Sequence, residues 1–269
     1  MNLNKFHSIL IETGQYETLP KPAKSLGDHL FGWSDAWYYG GLARIIVSGG
    51  CIAHGGKYDA VVWAYQSLAM LKVAESCGGR ISITGLKNLS EIQTPVVFIS
   101  NHMSMLETFL LPAILSSFRG LAIVVKESLI KYPFFGKLLC AIDPIIVTRK
   151  SPRDDLKTVL VKGEETLRNG RSVLVFPQAT RSQQFDPDHF NTLGNKLAQK
   201  AKVPVVPIAL KTDFQSIGRI LRDIGPINRR KKIHIKVGPP LTIDGNNKEV
   251  HYKVTSFIAG SLKEWSNDQ

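Results

Sequence analysis

The sequence predicts an α/β fold: a mostly parallel central sheet flanked by helices, with an N-terminal helical extension in front of it. Three observations carry that expectation. Seven short β-rich runs follow residue 80, and helical spacings fill the gaps between them. Strands that alternate with helices in this way build a sheet whose two faces are covered. The texture of the chain also changes near residue 80, which divides it into a helical segment over 1–80 and an α/β domain over 81–269.

The first 80 residues are rich in aromatics and glycine: Phe31-Gly32-Trp33, Trp37-Tyr38-Tyr39-Gly40-Gly41, Gly49-Gly50 and Gly55-Gly56. Over residues 58–75, Val61, Val62, Tyr65, Leu68, Leu71 and Val73 recur at an approximate helical period. This pattern reads as two or more helices joined by glycine turns. Two roles stand open for it. The segment is an extension packed on the main core, or it is a hydrophobic platform that dips into a membrane interface with Trp33, Trp37, Tyr38 and Tyr39 as anchors.

Beyond it, residues 80–84 alternate like a strand and 95–99 form a continuous apolar run of buried-strand length. Runs at 121–125, 144–147, 172–176, 203–210 and 233–237 repeat the theme, with helical spacings at 105–115, 133–141, 154–168, 191–201 and 250–265. Ligands of such sheets gather at the carboxyl ends of strands. The loops to inspect therefore follow Ile99, Val125, Val147 and Phe176.

The 269-residue chain carries 34 Lys+Arg against 22 Asp+Glu, a formal charge of +12, so its charge asks for an anionic partner or substrate. No stretch reaches the roughly eighteen consecutive apolar residues of a spanning helix, and the N-terminus does not read as a secretory signal. Cys51, Cys77 and Cys140 are scattered without paired or metal-like spacing, which favours a reducing compartment. His54, His189, His234 and His251 show no ligand spacing either, so no metal is expected. The basic stretch Arg229-Arg230-Lys231-Lys232, near Arg219 and Arg222, lacks aromatic interleaving, zinc spacing or a recognition-helix pattern. It argues against nucleic acid and reads as a solvated loop or a surface for anionic head groups.

Three loops carry chemistry. In the first, Ser100-Asn101-His102-Met103-Ser104-Met105-Leu106-Glu107, five residues separate His102 from Glu107, about 500° of helical turn, which would leave the side chains about 140° apart on a continuous helix. They meet only if His102 lies in the turn and Glu107 one turn inside the helix. Ser104-x-x-Glu107 is a capping-box pattern that puts the break there. Spacing alone favours a helix cap and a satisfied loop histidine over the functional reading, a carboxylate orienting an imidazole base. The second loop, Phe176-Pro177-Gln178-Ala179-Thr180-Arg181-Ser182, suits donors presented to an anion. The third ends the 144–147 strand in Thr148-Arg149-Lys150, and Lys126 takes the equivalent place after 121–125. Lys126, Arg149 and Arg181 at one edge of one sheet would form a phosphate cradle.

In order along the chain stand Asn-His-x-Ser-x-x-Glu, Lys126-Glu127-Ser128-Leu129 with Pro133-Phe134-Phe135-Gly136, a strand ending in Arg149, Phe-Pro-x-x-Thr-Arg-Ser, and Val203-Pro204-Val205-Val206-Pro207-Ile208. Together with Phe190-x-x-x-Gly194-x-x-Leu197-Ala198, this set resembles the glycerolipid acyltransferase family, typified by 1-acyl-sn-glycerol-3-phosphate acyltransferase, over about residues 80–240. The resemblance implies acyl transfer without a covalent enzyme intermediate. His102 would deprotonate the acceptor hydroxyl and Glu107 would orient it. Asn101 or nearby backbone N–H groups would support the oxyanion, and Ser104, Lys126, Arg149, Gln178, Thr180 and Arg181 would contact substrate. The Val203–Ile208 block would shape an acyl tunnel or serve as a core strand. It implies no cofactor, with acyl-CoA or acyl-carrier protein as co-substrate, a lysolipid acceptor, and a peripheral or monotopic place on the cytoplasmic face of an anionic membrane.

The chain departs from the family pattern at three positions. Glu107 replaces the usual Asp, keeping the charge with one more methylene. Gln178 and Ala179 stand where Phe-Pro-Glu-Gly-Thr-Arg has Glu and Gly, so the acceptor side loses a charge and the freedom of a glycine. Two alternatives to a lysophosphatidate acyltransferase therefore stay open. One is an acyltransferase of the same fold for another acceptor, such as an amino-acid lipid, and the other is a catalytically silent lipid-binding homologue.

Overall fold

The structure, a computed structural model, describes residues 1–20, 25–178 and 180–266. The chain opens with α1 (Leu3–Thr13), β1 (Tyr16–Glu17), α2 (Leu26–Phe31), α3 (Asp35–His54) and α4 (Ala60–Ser76). The side chains of Asn2, Ser34 and Asp59 accept hydrogen bonds from the first-turn N–H groups of α1, α3 and α4. Next come β2 (Ile81–Thr84), β3 (Val97–Ser100), α5 (Leu106–Leu115), β4 (Leu121–Lys126), α6 (Glu127–Ile130), α7 (Phe135–Ala141) and β5 (Ile145–Val147). Finally α8 (Pro152–Arg168), β6 (Ser172–Val175), α9 (Leu193–Ala201), β7 (Val205–Lys211), β8 (Ile233–Val237) and α10 (Asn247–Ser266) complete the chain. Every β-rich run and helical spacing beyond residue 80 forms its element, with ends shifted by a few residues.

The strands form one eight-stranded sheet in the order β1-β2-β8-β7-β3-β6-β4-β5. Strands β3, β4, β5, β6 and β7 are mutually parallel, whereas β8 runs antiparallel to β7 and carries the parallel β2. The carboxyl ends of β3, β6, β4 and β5 therefore share one edge. Period-two alternation divides the strand residues between two cores. Phe98, Leu174, Val206, Ile208 and Leu210 face one, while Val97, Ile99, Val173, Val175, Val205 and Ala209 face the other.

The first of these cores also contains the buried residues of α1, α3 and α4, so the N-terminal helices are a layer of the sheet's own packing. Across the boundary near residue 80, Tyr16 and Glu17 pair antiparallel with Ile83 and Ser82 and extend the sheet. Two expectations for this region are corrected. Gly40, Gly41, Gly49 and Gly50 are not turns but lie inside α3. Gly41, Gly49 and Gly50 allow close approach: a Cβ on Gly50 would stand 2.5 Å from Phe134 Cβ, and one on Gly41 would stand 2.8 Å from Val73 Cγ1. Tyr38 and Tyr39 are not surface anchors, because Tyr38 is fully buried and Tyr39 is half-buried with its hydroxyl on Gly225 O at 2.6 Å. Trp33 and Trp37 are exposed, as are Leu26, Leu30 and Phe31 beside them and, farther along, Val61 and Tyr65.

Candidate active site

Beyond β3 the backbone is zipped to β7 by side chains. Ser100 Oγ donates to Ile208 O at 3.0 Å, Asn101 Nδ2 donates to Leu210 O at 2.8 Å, and Asn101 Oδ1 accepts from Leu210 N–H at 2.8 Å. This two-way bond fixes where the chain leaves the sheet and delivers His102 to its carboxyl edge.

His102 is gripped on four sides. Its N–H donates to Gln178 Oε1 at 2.5 Å, and its carbonyl accepts from Ser182 N–H at 2.9 Å. Its ring stacks on Phe176, with centroids 4.4 Å apart and planes 26° from parallel. Nδ1 meets Glu107 Oε1 at 2.9 Å, while Nε2 has no hydrogen-bond partner among the described residues. The side chain is 20 % exposed, so one edge of the ring reaches the surface while the other is locked. The turn-then-helix geometry required by the five-residue spacing is the one found, because α5 starts at Leu106 and Glu107 sits in its first turn.

Glu107 is wholly buried and ringed by donors. Oε1 accepts from His102 Nδ1, from Met103 N–H at 2.6 Å and from Ser104 N–H at 2.9 Å. Oε2 accepts from Ser104 Oγ at 2.7 Å and Thr212 Oγ1 at 2.6 Å, and Ser104 Oγ accepts from Leu106 N–H at 3.1 Å. Burial alone drives a carboxyl upward. Here the hydrogen bond and charge of His102, with the hydroxyls of Thr212 and Ser104, outweigh burial and hold Glu107 below the ordinary range. An ionised Glu107 fixes the proton on Nδ1 and leaves Nε2 as the ring's basic nitrogen.

These contacts correct two expected substrate contacts. Ser104 is buried and donates its hydroxyl to Glu107, beside the Thr212 hydroxyl at 3.0 Å, so it orients the carboxylate. Asn101 is buried with its amide closed on β7, and is a strut of the loop. The N–H groups of His102, Met103 and Ser104 are also taken, which removes them as oxyanion donors.

The three expected cations do reach the shared edge, in different states. Lys126 ends β4 beside Val147 of β5 and is exposed. Arg149 is exposed in a left-handed turn (φ 61°), with its N–H on Asp155 Oδ2 at 2.8 Å. Asp155 Oδ1 also accepts from Thr148 N–H and Oγ1, so the first turn of α8 braces the turn after β5. Arg181 is not an open cradle member, because its guanidinium pairs with Asp223. Gln178 is buried, Thr180 is exposed, and Ala179 lies outside the described residues.

Thr212, Phe176 and Asp223 were missed as site residues. Phe176 opens the Phe-Pro-x-x-Thr-Arg-Ser motif but reads there only as a strand end. Thr212 and Asp223 lie 105 and 42 residues from their partners, with no local signal. The Val203–Ile208 block is a core strand here, every residue of β7 being buried. A cavity of about 60 Å³ behind α5 is lined instead by Ile45, Trp63, Phe109, Val125 and Leu138 among others.

The acyltransferase family model matches residues 80–211. The chain is 30% identical over 214 residues to the 1-acyl-sn-glycerol-3-phosphate acyltransferase of Pseudomonas aeruginosa, covering 78% of this chain and 79% of that one. It is 26% identical over 233 residues to the enzyme of that name from Saccharomyces cerevisiae, covering 84% of this chain and 73% of the yeast protein. The crystal structure of the 1-acyl-sn-glycerophosphate acyltransferase of Thermotoga maritima superposes with a TM-score of 0.60 at 20% identity, covering 86% of this chain and 93% of that one. The fold is thus shared with that structure, and by sequence the chain belongs to the glycerolipid acyltransferase family and is an acyltransferase.

Proposed function

We propose that this acyltransferase moves a fatty acyl group from a thioester, acyl-CoA or acyl-carrier protein, onto the free hydroxyl of lysophosphatidate to give phosphatidate. The observation that carries the reading is the buried, ionised Glu107 locked on Nδ1 of a histidine whose Nε2 is unpartnered at the sheet edge. In the reaction the hydroxyl proton passes to His102 Nε2 as its oxygen bonds to the thioester carbonyl carbon. The tetrahedral adduct collapses, the C–S bond breaks, and the imidazolium returns the proton to the departing sulfur. Glu107 stabilises the imidazolium throughout. No cofactor is needed.

Lys126 and Arg149, with the exposed hydroxyl of Thr180, would hold the acceptor phosphate, joined by Arg181 when Asp223 gives it up. Gln178 supports lysophosphatidate as acceptor despite the lost charge, because the bond it makes uses the oxygen that a glutamate would also present. The cavity behind α5 would take the acyl end. It lies well below the roughly 300 Å³ of an ordinary ligand pocket, so α3 and α7 must part to admit a chain.

Among the described residues no helix is long and apolar enough to cross a membrane. The bare Leu26, Leu30, Phe31 and Trp33 of the N-terminal layer would dock on the lipid surface, on the cytoplasmic face. The test is acyl transfer from acyl-CoA and from acyl-carrier protein to a panel of lysolipids, with wild type and His102→Ala. Lysophosphatidate is expected to be the best acceptor, with kcat/KM falling about a thousandfold in the variant. A better turnover of an amino-acid lysolipid would move the acceptor, and turnover indifferent to His102→Ala would sink the mechanism.

A further inference from the structure

The segment between β7 and β8 folds into a closed loop. An isolated bridge joins Gln215 to Ile227, and backbone bonds run from Ser216 N–H to Pro226 O, Gly218 N–H to Arg222 O and Ile224 N–H to Leu221 O. Its neck is tight: a Cβ on Gly225 would lie 2.1 Å from Ser216 O. Its tip is apolar and bare, with Ile220 95%, Leu221 60% and Ile224 53% exposed. Single exposed aliphatics are ordinary, but three large ones clustered on one tight turn mark a docking surface. Arg219 and Arg222 are exposed on the same loop, and Arg219 has no counter-ion among the described residues. An apolar tip flanked by arginines fits an anionic lipid surface, which supplies apolar depth and negative charge together.

The same loop is wired to the catalytic edge. Asp223 pairs with Arg181, whose carbonyl accepts from Arg222 Nη2 at 3.2 Å, and the next residue, Ser182, donates its N–H to His102 O. On its other side the loop is anchored to α3. Tyr39 OH donates to Gly225 O at 2.6 Å, and Asp35 accepts from Ile227 N–H at 3.1 Å and pairs with Arg229. We propose that the loop 218–225 inserts into an anionic lipid surface, and that Asp223 on it is a positioning residue that occupies Arg181 until the surface is engaged. Engagement shifts the loop, Asp223 withdraws, and Arg181 turns to the acceptor phosphate. This rests on the lysolipid acyltransferase reading above.

The experiment uses the full chain. Binding is measured by co-sedimentation with phosphatidylcholine vesicles, with and without phosphatidylglycerol. Acyl transfer is measured on lysophosphatidate held in those vesicles and on short-chain lysophosphatidate dispersed in solution. Because Ile220 and Leu221 are exposed, the double variant Ile220→Asp/Leu221→Asp should keep its melting temperature. It is expected to lose about tenfold or more in binding to phosphatidylglycerol vesicles and in turnover there, with dispersed acceptor turned over at the wild-type rate. Unchanged vesicle binding, or wild-type binding that ignores phosphatidylglycerol, overturns the insertion. Asp223→Asn should lower KM for dispersed acceptor severalfold at constant kcat, and a KM that stays or rises overturns the positioning role. If wild type turns over neither form of acceptor, the acyltransferase reading fails, while the vesicle arm still decides whether the loop inserts.

Discussion

Two glutamates are buried among the described residues, and they behave in opposite ways. Glu75, near the end of α4 in the N-terminal layer, accepts on Oε1 from Tyr16 OH and Thr18 Oγ1, both at 2.7 Å. Glu107, at the start of α5, accepts from two backbone N–H groups, two hydroxyls and an imidazole. Burial raises Glu75 above the ordinary carboxyl range, and its hydroxyls, Lys72 and the N-terminus only partly offset this. The denser donor shell around Glu107 reverses the same burial penalty. Burial therefore does not decide whether a carboxyl carries charge; the number and kind of donors aimed at it does. Glu75 manages with two hydroxyls, whereas Glu107, which in the proposed reaction would steady an imidazolium, has a complete shell.

The sharpest way to break this contrast is to remove each charge in turn. Glu107→Gln puts an amide NH₂ against donors, so stability should fall by about 2–4 kcal/mol and kcat by about a hundredfold. Glu75→Gln should cost under about 1 kcal/mol in denaturant unfolding and leave turnover intact. The pH profiles should diverge with opposite sign. Glu107 is depressed on folding, so its contribution is present above the ordinary carboxyl pKa and is lost as pH falls through the lower folded value. Glu75 is raised, so its contribution is full below the ordinary value and is lost as pH rises through the folded one. Unfolding from acid to neutral pH, each variant against wild type, measures both. Parallel profiles would refute the distinction.

Thr212→Val removes one donor from Glu107 at nearly constant shape. It should cost about 1–2 kcal/mol and roughly tenfold in kcat, with KM for the acceptor unchanged. Gln178→Glu keeps an oxygen for His102 N–H and is expected to be the mildest, with turnover of lysophosphatidate within about threefold of wild type. A large gain on lysophosphatidate would instead mean that Gln178 selects a different acceptor.

Much of this was legible in the chain because it is local. Each strand of the α/β part shows as a β-rich run, and the break between His102 and Glu107 shows as a capping pattern before an apolar helix. The glycines of α3 mislead as turn signals, since all four sit inside a helix and neighbours require closeness at three of them, Gly41, Gly49 and Gly50. A glycine needed for contact and one needed for a turn look alike in one dimension. The loop of Asn101 and Ser104 is legible but their contacts are less so, because the Asn101 amide closes on Leu210 of β7 and the Ser104 hydroxyl sits against Thr212 just beyond it, both more than a hundred residues away.

By itself, then, the sequence determined the layered α/β class, the edge at which the chemistry-bearing loops gather, and the histidine–carboxylate spacing, all set by periodicity and short-range geometry. Only the tertiary structure decided that Thr212 completes the shell of Glu107, that Phe176 backs the imidazole, and that Asp223 occupies Arg181. Those contacts join strands and loops brought together by the burial of the sheet's two faces. A contact made by packing leaves no pattern along the chain.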